Sequence, residues 1–347
     1  MFGAKRQSVS EVPPRYVDER DIEEIRYEIA AVRSDLAQII EQQKQFPIHG
    51  IASLIEKSFE HRPESDLYEA LMGGSNSVRG HAAKLGLKSS VCKQLHFALD
   101  EFRYWTNAMG RRPRFHRKEW EWFYVAQAIF EHDMLQPGKR GLGFAVGREP
   151  LPSLFATFGC DILATDQGVE RAAQSGWSAT DMYAGEVEAL RHANIIERDP
   201  FMARVGYEPI DMNDIPDHLA GQFDFCWSSC SFEHLGSLEQ GLRFVENSVK
   251  TLKPGGVAVH TTEFNLQSNE STWETPGDSL YRRCDIEDLI RRLEGAGHAV
   301  APVDWAMGNG FVETVSDTPP YKQSPHLKLN IAGYDCTSIG IIIRKKV

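Results

Sequence analysis

From Glu119 onward, helical patterns alternate with short apolar or β-branched runs, and this alternation constrains the fold more than any other feature of the chain. Such an order builds βαβ units whose parallel strands are covered by helices on both faces. Strands are expected at Gly141–Val146, Asp161–Thr165, Tyr207–Ile210, Phe223–Ser228, Gly256–Thr262, Ala299–Trp305 and Ser338–Arg344. A helix is expected over Glu119–Met134, followed by the turn Gln136-Pro137-Gly138-Lys139. Together these predict an α/β protein with a Rossmann-like, seven-stranded, mostly parallel, doubly wound sheet and an N-terminal helical extension.

The extension has two parts. Between Asp21 and Gln45, Ile22, Ile25, Ile29, Val32, Leu36 and Ile39 follow alternating spacings of three and four, a coiled-coil seam. Fewer than three heptads are marginal for an isolated helix pair, so homo-oligomerisation through 21–45 and packing on the chain's own body both stay open. Residues 51–117 read as a helical accessory region interrupted by Gly73-Gly74-Ser75-Asn76-Ser77. Tyr68, His81, His96, Tyr104 and Trp105 there read more readily as packing than as a pocket lining. The expected organisation is a disordered lead and short helix over 1–50, the accessory region over 51–117 and the α/β domain over 118–347.

Composition excludes several classes. No apolar run of the 347 residues approaches the roughly 18 residues that a membrane span needs. The polar stretch Met1–Arg15 lacks the apolar centre of a secretory signal, so a cytoplasmic location is expected. Six scattered cysteines without a CxxC pair argue against a disulfide framework or structural zinc. A net charge of −11 opposes nucleic acid as a partner. The basic run Arg111-Arg112-Pro113-Arg114-Phe115-His116-Arg117-Lys118 is the local exception, read as a solvated linker or as an anion-binding edge.

The chemistry-bearing motifs fall at the strand ends. Gly141-Leu142-Gly143-Phe144-Ala145-Val146-Gly147 precedes a helix expected near Pro152, and small residues there let the backbone approach a ligand. Asp166, about twenty residues on, closes the second strand, where a carboxylate can accept both hydroxyl hydrogens of an adenosine ribose. Asp211-Met212 follow the third strand and place an acid and an apolar face beside an adenine. Phe223–Ser229 leads into Cys230-Ser231-Phe232-Glu233-His234-Leu235, and Leu252-Lys253-Pro254-Gly255-Gly256 introduces the fifth strand.

In order and spacing these four motifs, over about residues 119 to 347, resemble class I S-adenosylmethionine-dependent methyltransferases. The resemblance implies that Gly143, Ala145 and Gly147 hold the methionyl end of the cofactor, Asp166 its ribose, and Asp211 with Met212 its adenine, with Ser228 in the same set. It also implies a seventh strand inserted antiparallel between the fifth and sixth. The chain departs from the family at Gly143, where an acidic residue is usual, and at Ala145, where a glycine is. Glu149 is the candidate to take over recognition of the methionine amino group. The same departure is compatible with a cofactor-binding protein that has lost turnover.

A methyl acceptor that is an alcohol needs a base, and Glu233-His234 directly follows the fourth strand, where the substrate should meet the methyl group. His234 is the first choice and Glu233 its companion. His260 and Glu263 are expected near the same rim, and Tyr321 and His326 in a late polar loop are candidate acceptor contacts. Convergence of His234, Glu233, His260 and Glu263 would make a divalent-metal site similar to the ExxEH motif of metal-dependent O-methyltransferases. Cys230 stands at the first glutamate position of that motif, so a metal is not expected. The overall arrangement resembles polysaccharide-associated methyltransferases, implying O-methylation of a saccharide hydroxyl. A small-molecule methyltransferase, a non-catalytic assembly protein and a nicotinamide-dependent oxidoreductase are the rivals.

Overall fold

The structure is a computed structural model that describes residues 68, 71–72, 81–168, 184–322 and 324–347. The chain divides into two compact units, Met1–His61 and Arg62–Val347. Every described residue belongs to the second. The coiled-coil-like segment 21–45 and the turn at 73–77 lie outside the described residues.

Strand β1 (Ser89–Val91) and helices α1 (Asp100–Ala108) and α2 (Arg117–Glu131) precede the parallel strands. Then come β2 (Arg140–Phe144), α3 (Leu151–Thr157), β3 (Asp161–Asp166), α4 (Arg198–Met202), β4 (Val205–Pro209), β5 (Phe223–Ser229), α5 (Leu238–Ser248) and β6 (Leu252–Asn265). A small hairpin of β7 (Glu274–Thr275) and β8 (Asp278–Ser279) leads to α6 (Arg283–Gly295). The chain closes with β9 (Ala299–Val300), β10 (Val303–Asp304), β11 (Ser316–Asp317), β12 (Lys328–Ile331) and β13 (Tyr334–Arg344). Among the described residues no helix is long and apolar enough to cross a membrane.

The main sheet runs β10-β1-β13-β6-β5-β2-β3-β4. Strands β2 to β6 are mutually parallel, in the order of a doubly wound Rossmann-like sheet, and β13 pairs antiparallel with β6. The fold is therefore the expected mixed α/β one, with eleven strands in the sheet among the described residues where seven were expected. The extra strands gather at one edge. Pro302 cannot donate to a ladder, and the expected strand Ala299–Trp305 divides around it into β9, which pairs with β13, and β10, which pairs with β1. β1 comes from before α2 and adds to the other side of β13, so the residues ahead of Arg117 share the same sheet.

Side-chain alternation assigns each strand's two faces to different helices. On β13, Ile339, Ile341 and Ile343 point into one core with Leu242 and Phe244 of α5 and Ile286, Leu289 and Leu293 of α6. The intervening Ser338 and Gly340 face α2. A Cβ at Gly340 would lie 2.1 Å from the Tyr124 ring, so glycine lets α2 lie flat on the sheet. On the α3 side, Phe155 packs edge-on against Phe225 and Trp227 of β5.

The accessory aromatics serve packing. Tyr68 donates to the Phe97 carbonyl at 2.5 Å, Trp105 to Gln127 at 2.7 Å and Trp120 to His96 Nδ1 at 2.8 Å.

Candidate active site

In an open parallel sheet, ligands bind beyond the carboxyl ends of the strands where the order reverses. Here that switch lies between β2 and β5, and a cavity of about 550 Å³ opens there. Its wall includes Ala145, Gly147 and Glu149 after β2, Asp166 at the end of β3, and Asp211 and Met212 after β4. Ser229 at the end of β5, Cys230, Ser231 and His234 after it, and Lys118 and Trp122 of α2 also line it.

The turn after β2 is tight. Ala145 has φ 47° and Gly147 φ 50°, so a non-glycine residue is held in the left-handed region at the ligand-facing bend. Gly143 does not line the cavity. It sits inside β2, where a Cβ would lie 2.4 Å from Val146 and 2.5 Å from Trp227. Its smallness lets the turn fold over Trp227.

Asp166 is buried and oriented by two backbone donors, Gly147 N–H at 3.0 Å and Gln167 N–H at 2.7 Å. A carboxylate offers about four lone-pair sites, so acceptor capacity remains on both oxygens. Burial raises its pKa to about 6, against those two hydrogen bonds. Glu149 is also buried and accepts from Trp227 Nε1 at 2.6 Å. Its pKa rises to about 7, again through burial first, with the Trp227 bond opposing. Two carboxyls with raised pKa in one cavity are a poised arrangement for a ligand that carries positive charge.

His234 reaches the cavity from the short turn Phe232–His234, its side chain 27% exposed. Nδ1 lies 3.0 Å from the Gly277 carbonyl, which can only accept, so the proton sits on Nδ1 and Nε2 keeps its lone pair. Asp278 Oδ1 stands 3.7 Å from the same nitrogen. Both partners come from the β7–β8 hairpin, which no sequence motif singled out.

The remaining predicted residues are elsewhere. Ser228 and His260 are cross-strand neighbours on the α5 face. His260 is fully buried between Ser228 Oγ at 2.8 Å and Ser248 Oγ at 2.9 Å, and burial lowers its pKa to about 3. Strand parity explains why it does not join Glu263. Residues 260 and 263 are an odd number apart on β6 and point to opposite faces. Tyr321 and His326 form a separate group away from the cavity. His326 Nδ1 lies 2.6 Å from Asp317, and its ring sits tilted against His116 at 4.6 Å and edge-on to Tyr321 at 5.6 Å.

Glu233 is buried beneath the cavity floor, accepting from Thr262 at 3.0 Å, and burial raises its pKa. With Cys230 and Glu263 it forms the one group of potential metal ligands among the described residues, their donor atoms all within 4.8 Å of one another. Arg117 already answers that group. One of its guanidinium nitrogens lies 3.0 Å from Cys230 Sγ and 3.1 Å from Glu121, and the other contacts the Glu263 carboxylate. Of the four residues whose convergence would have made a metal site, only Glu233 and Glu263 come together, with Cys230 and with Arg117 as an internal cation.

The basic run is neither a solvated linker nor an open anion-binding edge. Arg111 and Arg114 pair with buried Glu119, and Arg117 and Lys118 pair with buried Glu121.

No family model matches the chain, and no curated protein does. Solved structures of similar fold include the CurJ carbon methyltransferase, at 13% identity and TM-score 0.37, with 67% of this chain and 54% of that one covered. The chain thus spans about half the length of that protein. A SAM-dependent methyltransferase from Aquifex aeolicus is similar at 16% identity and TM-score 0.35, covering 62% and 87%. The DhpI–SAH complex is similar at 14% identity and TM-score 0.35, covering 64% and 84%.

Proposed function

We propose that the protein is an S-adenosylmethionine-dependent methyltransferase acting on a hydroxyl oxygen. The observation that carries this reading is the cavity at the sheet's switch point, whose wall holds both a ribose-suited Asp166 and His234, its Nδ1 turned to the Gly277 carbonyl. The fit to the cofactor rests on residues present. Asp166 retains acceptor capacity for two ribose hydroxyls, Met212 and Ile210 offer an apolar face beside Asp211 for adenine, and Glu149 offers a carboxyl for the α-ammonium.

S-adenosylmethionine, when bound, supplies a methyl group activated by its sulfonium. His234 would take the proton of the acceptor hydroxyl on Nε2, leaving the acceptor oxygen as the nucleophile. The Gly277 carbonyl holds the imidazole in the required tautomer, and Asp278 stabilises the imidazolium that results. Glu233, below the floor, supports the loop through Thr262 rather than meeting the acceptor.

A saccharide hydroxyl remains the proposed acceptor. Polar Ser231, Asn213 and Gln240 together with the faces of Trp122 and Pro276 suit a ring with both hydroxyl and C–H surfaces. The test is transfer of an isotopically labelled methyl group to a panel of oligosaccharides and free hydroxylated metabolites. Labelled ether product from the oligosaccharides, lost in His234→Ala, is the expected result. Product only from metabolites would reassign the acceptor, and label on nitrogen or carbon would overturn the oxygen assignment.

A further inference from the structure

A second cavity, of about 290 Å³, opens on the same rim of the sheet and, among the described residues, shares none of its wall with the first. β1 runs antiparallel to β13 and β13 antiparallel to β6, so the carboxyl ends of β1 and β6 both reach the rim that carries Asp166 and His234. Val91 closes β1 there, and Leu266 follows β6. Together with Leu327 and Met307 they give the cavity its apolar surface. Val91 and Leu327 are buried, whereas Met307 is left 62% exposed at its edge.

The polar groups of this cavity are held in place and carry both signs. Glu313 accepts the backbone N–H of Gln94 at 2.9 Å and that of Gly310 at 2.6 Å, one on each oxygen. Asp335 Oδ1 accepts from Ser316 Oγ at 2.7 Å and from Asn330 Nδ2 at 3.2 Å. Both carboxylates keep lone pairs beyond these bonds. The Lys328 ammonium stands 3.6 Å from Asp335 Oδ2, a charge pair too long for a hydrogen bond. Gln267 Oε1 accepts the Asp335 N–H at 3.0 Å, which leaves an amide nitrogen that can only donate.

Among the described residues of the wall one ammonium stands against two carboxylates, an excess of negative charge that opposes an anion, while Lys328 opposes a small cation. Donors and acceptors beside apolar side chains suit instead a neutral ring whose hydroxyls do both. We infer that this cavity holds a sugar ring, its hydroxyls donating to Glu313 and Asp335 and accepting from Lys328 and Gln267, with its C–H surface on Met307 and Leu266. The two cavities lie two to three strand spacings apart along the rim, about 10–15 Å, a distance that one oligosaccharide spans. A non-reacting unit of the acceptor is held here while a hydroxyl of another unit meets His234. This use of the site rests on the acceptor reading above; the binding of a sugar does not.

The test follows methionine methyl groups by carbon NMR on the full chain, because Met307 lines this cavity and Met212 the other. Glucose, galactose, mannose and N-acetylglucosamine are titrated singly. At least one should move the Met307 resonance saturably, with a Kd on the order of 1 mM, and leave Met212 in place. S-adenosylhomocysteine should do the reverse. Lys328→Met and Gln267→Ala should each weaken the sugar about five-fold, the scale of one lost hydrogen bond, with the Met212 response to S-adenosylhomocysteine retained as the check on folding. A Met307 resonance unmoved by all four sugars, or moved by acetate or ethylammonium in their place, would overturn the inference and leave the methyltransferase reading standing. A Met307 response to sugar in a protein that methylates no saccharide would keep the sugar site and overturn its role in holding the acceptor.

Discussion

Trp227 Nε1 donates to Glu149 Oε1 at 2.6 Å, tying the end of β5 to the turn after β2 across the point where the sheet reverses. The bond holds a buried carboxyl against the cavity, and it favours the charged form that burial disfavours. Trp227→Phe should therefore raise the Glu149 pKa further and weaken binding of a cationic ligand at pH 7 more than at pH 8.5. Calorimetry at the two pH values checks this. A loss of affinity that does not depend on pH would contradict it.

Cofactor binding should be linked to proton release. Asp166 and Glu149 have pKa values of about 6 and about 7 in the protein, both raised chiefly by burial, so both are partly protonated near pH 6. A ligand carrying sulfonium and ammonium charge favours the ionised carboxylates. Affinity should rise with pH from about 5.5 and level off above about 7.5. Titrations in buffers of different ionisation enthalpy should register protons released at pH 6.5, and proton uptake would be the opposite of this account. The same shifts make the ligand-free protein lose stability as pH rises through this window, because its folded state holds these protons more tightly than the unfolded chain.

His234→Ala should reduce the transfer rate by about 10²- to 10⁴-fold, the range for a general base, and leave cofactor affinity near its wild-type value. Single-turnover rates beside binding isotherms separate the two. Lost affinity with intact turnover at saturation would reverse the assigned role.

His260→Ala should act on stability instead. The imidazole bridges Ser228 and Ser248 in the core, and its removal leaves a cavity and two broken hydrogen bonds, costing about 2–4 kcal/mol. Its pKa is depressed to about 3 by burial, so its contribution is complete above about pH 6.5 and is lost as pH falls toward 3. Denaturant unfolding at pH 7.5 checks the magnitude, with cofactor affinity unchanged. A lost binding site at full stability would place His260 in the cavity after all.

Much of the fold was legible because the strands of β2, β3, β5, β6 and β13 carry continuous apolar runs and the turns carry their glycines. The place of Asp166 at the end of β3 was legible for the same reason, since the distance from a glycine turn to the next strand end is set by one βαβ unit. The edge of the sheet was not, because β1, β9, β10 and β11 are two or three residues long and too short to show a period. Lys118 was named only as the end of a basic run, and Trp122 not at all, because α2 precedes the first parallel strand and meets the cavity only through tertiary packing. His260 was drawn to the rim by treating strand residues as a cluster, when their faces alternate.

The central claim is tested most directly by calorimetric titration of the purified protein with S-adenosylmethionine, and separately with NAD, for wild type and Asp166→Ala. The account predicts micromolar binding of S-adenosylmethionine alone, weakened by about 1–3 kcal/mol in the variant, the scale for a lost charge-assisted hydrogen bond to ribose. Binding of NAD in its place, or affinity for S-adenosylmethionine that does not depend on Asp166, would contradict it.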